Sequence, residues 1–193
     1  MLNIRKSVFE TNSSSMHSII ISKNNNIGTD DYFCHDWVNY PTLELDEGDL
    51  TWGRSPFEFL DTFESKLCYL IPSIKMTKEK WNELISTINQ ILKENGMDVE
   101  ANINLPEIEE YDWKKMEYTG KKETFYGDID HQSMGLFNGF INKYKLTYKE
   151  FLENPNIQVV IDGDEYCYFY DMIETGIIDD NKVEIYPNKK YDD

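Results

Sequence analysis

The stretch TKEKWNELISTINQILKENG, residues 77–96, has the clearest structural pattern in the chain. Its apolar residues recur at the spacing that places them on one face of a helix. They are Trp81, Leu84, Ile85, Ile88, Ile91 and Leu92. Thr77 is suited to cap the first turn, and Asn95-Gly96 is a typical place for a helix to end. The pattern therefore predicts an amphipathic helix over about residues 78–95.

Three further stretches predict helices on both sides of this one. Apolar residues at helical spacing over residues 61–71 indicate a helix that Pro72 should end. Residues 136–144 also follow a helical pattern. Thr147 and Glu150 match a capping box, in which each side chain bonds a free backbone amide at a helix start. A short helix should therefore follow and stop near residue 154.

Short runs that are β-branched, or that alternate between apolar and polar residues, predict strands. They lie at residues 19–22, 42–45, 99–105, 157–161 and 182–186. The aromatic run 166–170 should pair back on the preceding strand as a hairpin, through a turn at residues 162–164. The polar run 107–122 fits neither pattern.

These elements predict an α+β fold with a mostly antiparallel sheet and three to five helices packed on it. The length of 193 residues suits a single domain over residues 1–193, with room for a helical insertion at about residues 56–96. The apolar content of 40% is sufficient for a core.

The charge balance is strongly acidic. Acidic residues outnumber basic ones 36 to 19, which gives a formal net charge of -17. Such a chain is repelled by DNA, RNA and anionic membranes, because binding to these surfaces needs a basic footprint. We therefore expect a basic partner, such as a nucleic-acid-binding protein. The simpler alternative is that the acidity only keeps the protein soluble.

The acidic residues are grouped, and three groups contain the candidates for a partner-binding surface. These candidates are Asp46, Glu47, Asp49, Glu109, Glu110, Asp162, Asp164 and Glu165. Carboxylates spaced over a rigid surface can imitate a phosphate backbone, and nearby tyrosines would add contact area. For each group taken alone, a solvated face is the competing interpretation. Residues 162–165 also resemble part of a calcium loop, but the rest of its twelve-residue frame is missing, which favours a turn.

The cysteines and the N-terminus predict a protein of a reducing cytoplasm. The chain has three cysteines, an odd number, and no CxxC spacing, so a disulfide framework is not expected. The first six residues lack the apolar region of a signal peptide, and no apolar stretch is long enough for a membrane span.

The polar segment at residues 10–18 is the first candidate functional site. It combines acid, amide, hydroxyl and imidazole groups directly before a predicted strand. Its candidate site residues are Glu10, Asn12, Ser13 and Ser14, with His17 beside them. The competing interpretation is a polar turn with an ordinary histidine, since serine and asparagine compete with the backbone for hydrogen bonds.

The second candidate segment, residues 130–133, contains Asp130, His131 and Gln132. An aspartate beside a histidine can orient the imidazole or share a metal ion. Alternatively, Asp130 or Ser133 caps the helix that follows.

Histidines are few in this chain, and two of the three, His17 and His131, lie in the candidate segments. If the segments meet, these histidines could bind Zn²⁺ with Asp130 or Glu10. The pair Cys34-His35 is a weaker candidate, because adjacent ligands fit zinc spacing poorly.

A hydrolase built on these two segments is the alternative function. It would use a metal ion, or one of the serines with a histidine base. The chain contains no G-x-S-x-G elbow, no Walker loop and no dinucleotide fingerprint, so sequence motifs do not support hydrolysis.

The segment RKSVFETNSSSMHS, residues 5–18, resembles the N-terminal signature of a poorly characterised family of phages and Gram-positive bacteria. Similar pieces follow in the family's order. They are WG at 52–53, KLCYL at 66–70, IDHQS at 129–133 and FLENP at 151–155. The sequence departs from the family pattern at residues 54–58, where a more acidic segment is expected.

This resemblance implies a specific function, because some similar phage proteins are anti-CRISPR inhibitors of Cas9 and one of them binds a metal. It implies site roles for Glu10, Asn12, Ser13, His17, Asp130, His131 and Gln132. We therefore expect a stoichiometric inhibitor, without enzymatic activity, that docks its acidic surface on the basic nucleic-acid channel of a Cas9-type effector and blocks DNA loading. A phage structural or regulatory protein is a third alternative.

Overall fold

The computed structural model describes residues 16–23, 42–52, 57–74, 76–112, 114–130, 133–162 and 168–187. The strands in these ranges are β1 (Met16–Ser22), β2 (Thr42–Glu44), β3 (Thr51–Trp52), β4 (Glu58–Leu60), β5 (Asn102–Asn104), β6 (Glu107–Asp112), β7 (Glu117–Thr124), β8 (Asp128–Ile129), β9 (Ile157–Asp162) and β10 (Val183–Tyr186). The helices are α1 (Phe63–Ser73), α2 (Lys78–Glu94), α3 (Leu136–Tyr144), α4 (Tyr148–Glu153) and α5 (Tyr168–Glu174).

Several predicted site residues lie outside the described residues. They are Glu10, Asn12, Ser13, Ser14, Cys34, His35, His131, Gln132, Asp164 and Glu165. Their predicted roles stay predictions.

A four-stranded antiparallel sheet in the order β10-β1-β9-β4 forms the centre of the fold. Alternate residues of β9 face opposite sides, as the pleat of a strand requires. Ile157, Val159 and Ile161 belong to the large core that also contains buried residues of α1, α2, α3 and α4. Val160 belongs to a smaller core under α5. The predicted α+β fold, with an antiparallel sheet and helices packed on it, is confirmed.

The helix predicted for residues 78–95 is confirmed as α2. The Thr77 hydroxyl accepts a hydrogen bond from the Lys80 amide at 3.3 Å, and Asn95 is the C-cap. Helices α3 and α4 also match the predicted positions, and α4 has the predicted capping box of Thr147 and Glu150.

Helix α1 contradicts the prediction that Pro72 ends it, because Pro72 lies inside the helix. A proline has no amide hydrogen, so the carbonyl four residues earlier loses its helical donor. That carbonyl belongs to Cys68, and the indole Nε1–H of Trp52 donates to it instead, at 3.2 Å. A tertiary contact therefore supplies the hydrogen bond that the proline cannot make.

The prediction that residues 166–170 pair as a strand is wrong for the described residues Tyr168–Tyr170, which lie in α5. The Asp162 carboxylate accepts hydrogen bonds from the amides of Tyr168 and Phe169, at 3.0 and 3.1 Å, where that helix begins. Asp162 is only 3% exposed. It therefore helps to hold a helix start, and its predicted place on an acidic surface is wrong.

Strands β6 and β7 pair as an antiparallel hairpin, in the run that the sequence pattern left unassigned. Two short parallel pairs hold the base of this hairpin: β2 pairs with β5, and β3 pairs with β8. Each pair continues into a loop hydrogen bond, Leu45 amide to Asn104 carbonyl and Asp128 amide to Leu50 carbonyl, both at 3.0 Å.

Lys66 is completely buried in the large core. Its ammonium Nζ donates to the carbonyls of Phe151 and Asn154, both at 2.9 Å, and lies 5.5 Å from the Phe151 ring centre. Burial lowers the pKa of Lys66 to about 7, and the Asp61 carboxylate opposes this shift. The contact joins α1 to the C-terminal end of α4.

None of the helices in the described ranges combines the length and the apolar character that a membrane crossing requires.

Replacing Gly127 by alanine should destabilise the fold more than replacing Gly135. Both glycines have φ close to +90°. A Cβ at Gly127 would lie 2.5 Å from the Leu50 carbonyl oxygen, whereas one at Gly135 would meet no atom within 4 Å. We expect Gly135→Ala to cost about 1 kcal/mol for its backbone conformation, and Gly127→Ala at least about 2 kcal/mol more. Urea denaturation of both variants measures this difference, and equal losses would contradict it.

Lys66→Met should change how stability depends on pH. The folded-state pKa of Lys66 is lower than its unfolded value of about 10.5. Between these values the unfolded chain binds the extra proton, so the unfolding free energy rises with pH. Relative to Lys66→Met, we expect the unmodified protein to gain up to about 1.4 kcal/mol per pH unit between pH 7 and 9. Urea denaturation at pH 7, 8 and 9 tests this, with the exposed Lys78→Met as control; parallel curves for Lys66→Met would contradict it.

Candidate functional site

Tyr69, at the middle of α1, is the centre of a buried polar cluster. It is completely buried, and its hydroxyl lies 3.2 Å from His17 Nδ1 on β1. The two rings meet edge to face, with centres 5.6 Å apart. Burial raises the pKa of the Tyr69 phenol, so its hydroxyl keeps its proton and can donate to the imidazole.

His17 is only 3% exposed, and its environment favours the neutral ring. Burial lowers the pKa of His17 to about 4, and the Asp130 carboxylate partly opposes this shift. A neutral imidazole is the form that binds a metal ion. His17 and Asp130 interact electrostatically although they are 113 positions apart in the sequence. Among the described residues, this electrostatic interaction couples one member of each predicted segment.

The position of Asp130 is set by β3. Its amide donates to the Trp52 carbonyl at 2.8 Å, directly after the pairing of Trp52 with Ile129. A turn follows, in which the Ser133 amide donates to the Asp130 carbonyl at 2.9 Å. The N-cap of α3 is Gly135, without a side-chain hydrogen bond. The alternative in which the Asp130 or Ser133 side chain caps this helix is therefore wrong.

Pieces of the sequence on which the family resemblance is based converge on α1. Trp52 donates to Cys68, and its ring centre lies 5.9 Å from that of Tyr69. Lys66 binds carbonyls of Phe151 and Asn154. Together with the hydrogen bond between Tyr69 and His17, these contacts bring three of the pieces to the helix that contains the fourth, KLCYL. The sequence pieces that carry the resemblance thus contain residues that hold α1 in place.

Tyr69, Trp52 and Lys66 hold this region together but were not among the site residues predicted from the sequence. One signal was available for Lys66, because a lysine interrupts the apolar face of an otherwise buried helix. Tyr69 and Trp52 gave no such signal, since aromatic residues are common in cores.

The described residues contain no group of three histidine, cysteine, aspartate or glutamate side chains that could hold a metal ion. They contain two of the predicted ligands, His17 and Asp130, whereas Glu10 and His131 lie outside the described ranges. The neutral His17 ring beside a carboxylate fits one side of a zinc site.

The turn between β2 and β3 presents the predicted carboxylates Asp46, Glu47 and Asp49 to solvent. Asp46 and Asp49 each accept a hydrogen bond from the other's backbone amide, at 3.1 and 2.8 Å, which fixes the turn. The pKa of the Cys68 thiol is raised to about 12. Burial is the largest cause, and the negative charges of Asp49 and then Glu64 add to it. We call the exposed residues 46–49 the acidic turn.

Glu109 and Glu110 are exposed on the hairpin, as predicted, and Glu110 lies beside a lysine of the same hairpin. Glu109 accepts from the Gly120 amide at 2.9 Å, and Glu110 lies 3.8 Å from the Lys121 ammonium. In the described part of the chain, none of the ion pairs involves a carboxylate of the acidic turn. The negative charge of the acidic turn is therefore less neutralised by basic side chains than that of the hairpin.

Comparisons with models of protein families, with curated proteins and with solved structures found no match to this chain.

Proposed function

We propose that this chain is a phage-type anti-CRISPR protein that acts in the host bacterial cytoplasm and inhibits a Cas9-like nuclease by stoichiometric binding. The acidic turn would dock on a basic nucleic-acid-binding region of the effector and block DNA loading. The observation behind the mode of action is the set of exposed carboxylates at Asp46, Glu47 and Asp49, in a turn that the backbone hydrogen bonds of Asp46 and Asp49 fix. The choice of Cas9 rests on the family resemblance alone.

The electrostatics of the chain favour a basic partner over any nucleic acid. A net charge of -17 repels phosphate groups and attracts lysine- and arginine-rich surfaces. The rigid acidic turn also limits the entropy lost on binding, because its carboxylates need little further ordering. Attraction between exposed charges weakens as salt is added, since the screening length is about 8 Å at physiological ionic strength.

In this proposal the buried cluster at Tyr69 has a structural role. A zinc ion bound by His17 and His131, with Asp130 or Glu10, would tie the N-terminal segment to α1. With the zinc ion on Nε2, the ring proton of His17 would lie on Nδ1 and be donated to the Tyr69 hydroxyl oxygen, which orients the ring as outer partners of metal-bound histidines do.

A metal-dependent hydrolase is the second candidate, because a neutral His17 ring interacts electrostatically with the Asp130 carboxylate. The burial of His17 argues against it, since a catalytic metal needs an open coordination position for water or substrate. Stoichiometry separates the two functions: an inhibitor is needed at about one copy per nuclease, whereas an enzyme acts at far lower ratios.

Neutralising the acidic turn should weaken inhibition. For the variant Asp46→Asn/Glu47→Gln/Asp49→Asn, we expect association with the effector to slow by at least about tenfold at low salt, because electrostatic steering is lost. The salt dependence of the association rate should also fall. Inhibition of Cas9 cleavage, titrated against the protein, and surface plasmon resonance at several salt concentrations measure these effects.

The matched control is Asp171→Asn/Glu174→Gln/Asp180→Asn, which removes three exposed charges elsewhere. It should retain most of the inhibition. Equal losses in both variants would mean that total charge, and not the acidic turn, determines binding. Full cleavage in the presence of excess unmodified protein, for every Cas9 type tried, would contradict the proposed function.

The zinc site should be visible by elemental analysis of the purified protein. We expect about one zinc ion per chain, loss of most of it in His17→Ala and in His131→Ala, and normal content in His35→Ala, the control for the weaker Cys34-His35 pair. A protein without metal would contradict the zinc site. Unchanged zinc in both His17→Ala and His131→Ala would contradict the ligand assignment.

A further inference from the structure

The β6–β7 hairpin exposes two large apolar side chains close to its tip. Met116 is 68% exposed and Tyr118 is 66% exposed. Tyr118 packs edge to face on Tyr111, with ring centres 5.0 Å apart, so the aromatic surface is held in one position. All eight residues of β7 are exposed to solvent. Tyrosine and methionine are enriched in protein interfaces, and a two-stranded hairpin gains stability from a further contact.

The charges around this apolar tip are balanced within the hairpin. Lys115 lies 3.3 Å from Asp112, and Lys121 lies 3.8 Å from Glu110. The open groove beside the tip, about 700 Å³, is lined by equal numbers of acidic and basic residues. They are Glu110, Asp112, Glu117, Lys114, Lys115 and Lys121. A groove without net positive charge does not favour a nucleic acid, and it leaves the apolar side chains as the main source of binding energy.

The hairpin and the acidic turn leave the fold side by side. Strand β2 runs parallel to β5, and β3 runs parallel to β8. The acidic turn joins β2 to β3, and the hairpin joins β5 to β8. Since paired parallel strands end on the same side, both loops emerge at one place. The two loop hydrogen bonds, from Leu45 to Asn104 and from Asp128 to Leu50, hold them together there.

We propose that the hairpin tip is the apolar anchor of an interface that also contains the acidic turn. This inference rests on the proposed function. The partner is then a protein that presents a basic patch and, near it, an apolar pocket for Tyr118 and Met116. The six residues of β6, from the base of the hairpin towards its tip, span about 20 Å. The partner's basic patch and apolar pocket should lie about this far apart. A second copy of the chain is a poor occupant, because this face would bring two acidic turns together.

The two parts of the interface should differ in kinetics. Charges at an interface act mainly on association, whereas buried apolar anchors act mainly on dissociation. We expect Met116→Ala/Tyr118→Ala to speed dissociation from the Cas9–guide complex by at least about tenfold, and to leave the salt dependence of association unchanged. The control Met134→Ala/Ile177→Ala removes two exposed apolar side chains elsewhere and should bind normally.

Folding is checked with two further variants. Tyr118→Phe keeps the ring contact with Tyr111 and should bind nearly as well as the unmodified protein. Met116→Ala alone leaves that contact in place and should already speed dissociation. Circular dichroism and thermal unfolding of each variant show whether the hairpin and the fold are intact.

The outcomes separate this inference from the proposed function. If the unmodified protein binds no Cas9–guide complex, both fall. If it binds, and Met116→Ala/Tyr118→Ala dissociates at the normal rate, only the role of the hairpin is overturned. A dimer in sedimentation that these substitutions dissolve would overturn it in favour of a second copy. Binding of a single-stranded oligonucleotide that Lys114→Ala/Lys115→Ala abolishes would overturn it in favour of nucleic acid.

Discussion

The burial of Lys66 is the constraint on which much of this structure depends. A charged ammonium is costly to bury unless its donors are satisfied, and here the carbonyls of Phe151 and Asn154 accept from it. These carbonyls lie at the end of α4, where helical carbonyls lack partners within the helix. The Lys66 side chain of α1 thus supplies donors to the free carbonyls at the end of α4. These hydrogen bonds fix the position of α1 against α4.

The position of α1 in turn determines the other buried polar contacts. One turn after Lys66, Tyr69 reaches His17 on β1, and the Cys68 carbonyl accepts from Trp52. Hydrogen bonds of this kind depend on direction, unlike apolar packing, and a shift of α1 would leave several groups unsatisfied. Helix α1 therefore has one position in which its hydrogen bonds to β1, to β3 and to the end of α4 can all form.

Elements that are specified by local interactions were predicted correctly, and elements that depend on contacts between distant residues were not. Helices α2 and α4 were predicted correctly because local caps and apolar spacing specify them. The end of α1 and the helix at Tyr168 were predicted wrongly, since Trp52 and Asp162 supply the decisive hydrogen bonds from distant positions. The hairpin gave no pattern because every residue of β7 is exposed, so no apolar alternation arises. At the site, His17 and Asp130 were found by residue type, but Tyr69 was hidden among ordinary core aromatics.

The buried cluster and the proposed interface are connected through Trp52. Its side chain bonds α1, and its backbone carbonyl accepts from Asp130, so β3 is anchored to the core on two sides. The acidic turn precedes β3 directly, and the hairpin returns into β8, the strand that pairs with β3. Loops that bind partners are most effective on a rigid base, because less entropy is then lost on binding. A zinc ion at His17 would act on the same base, since it would hold Asp130 and with it the end of β8.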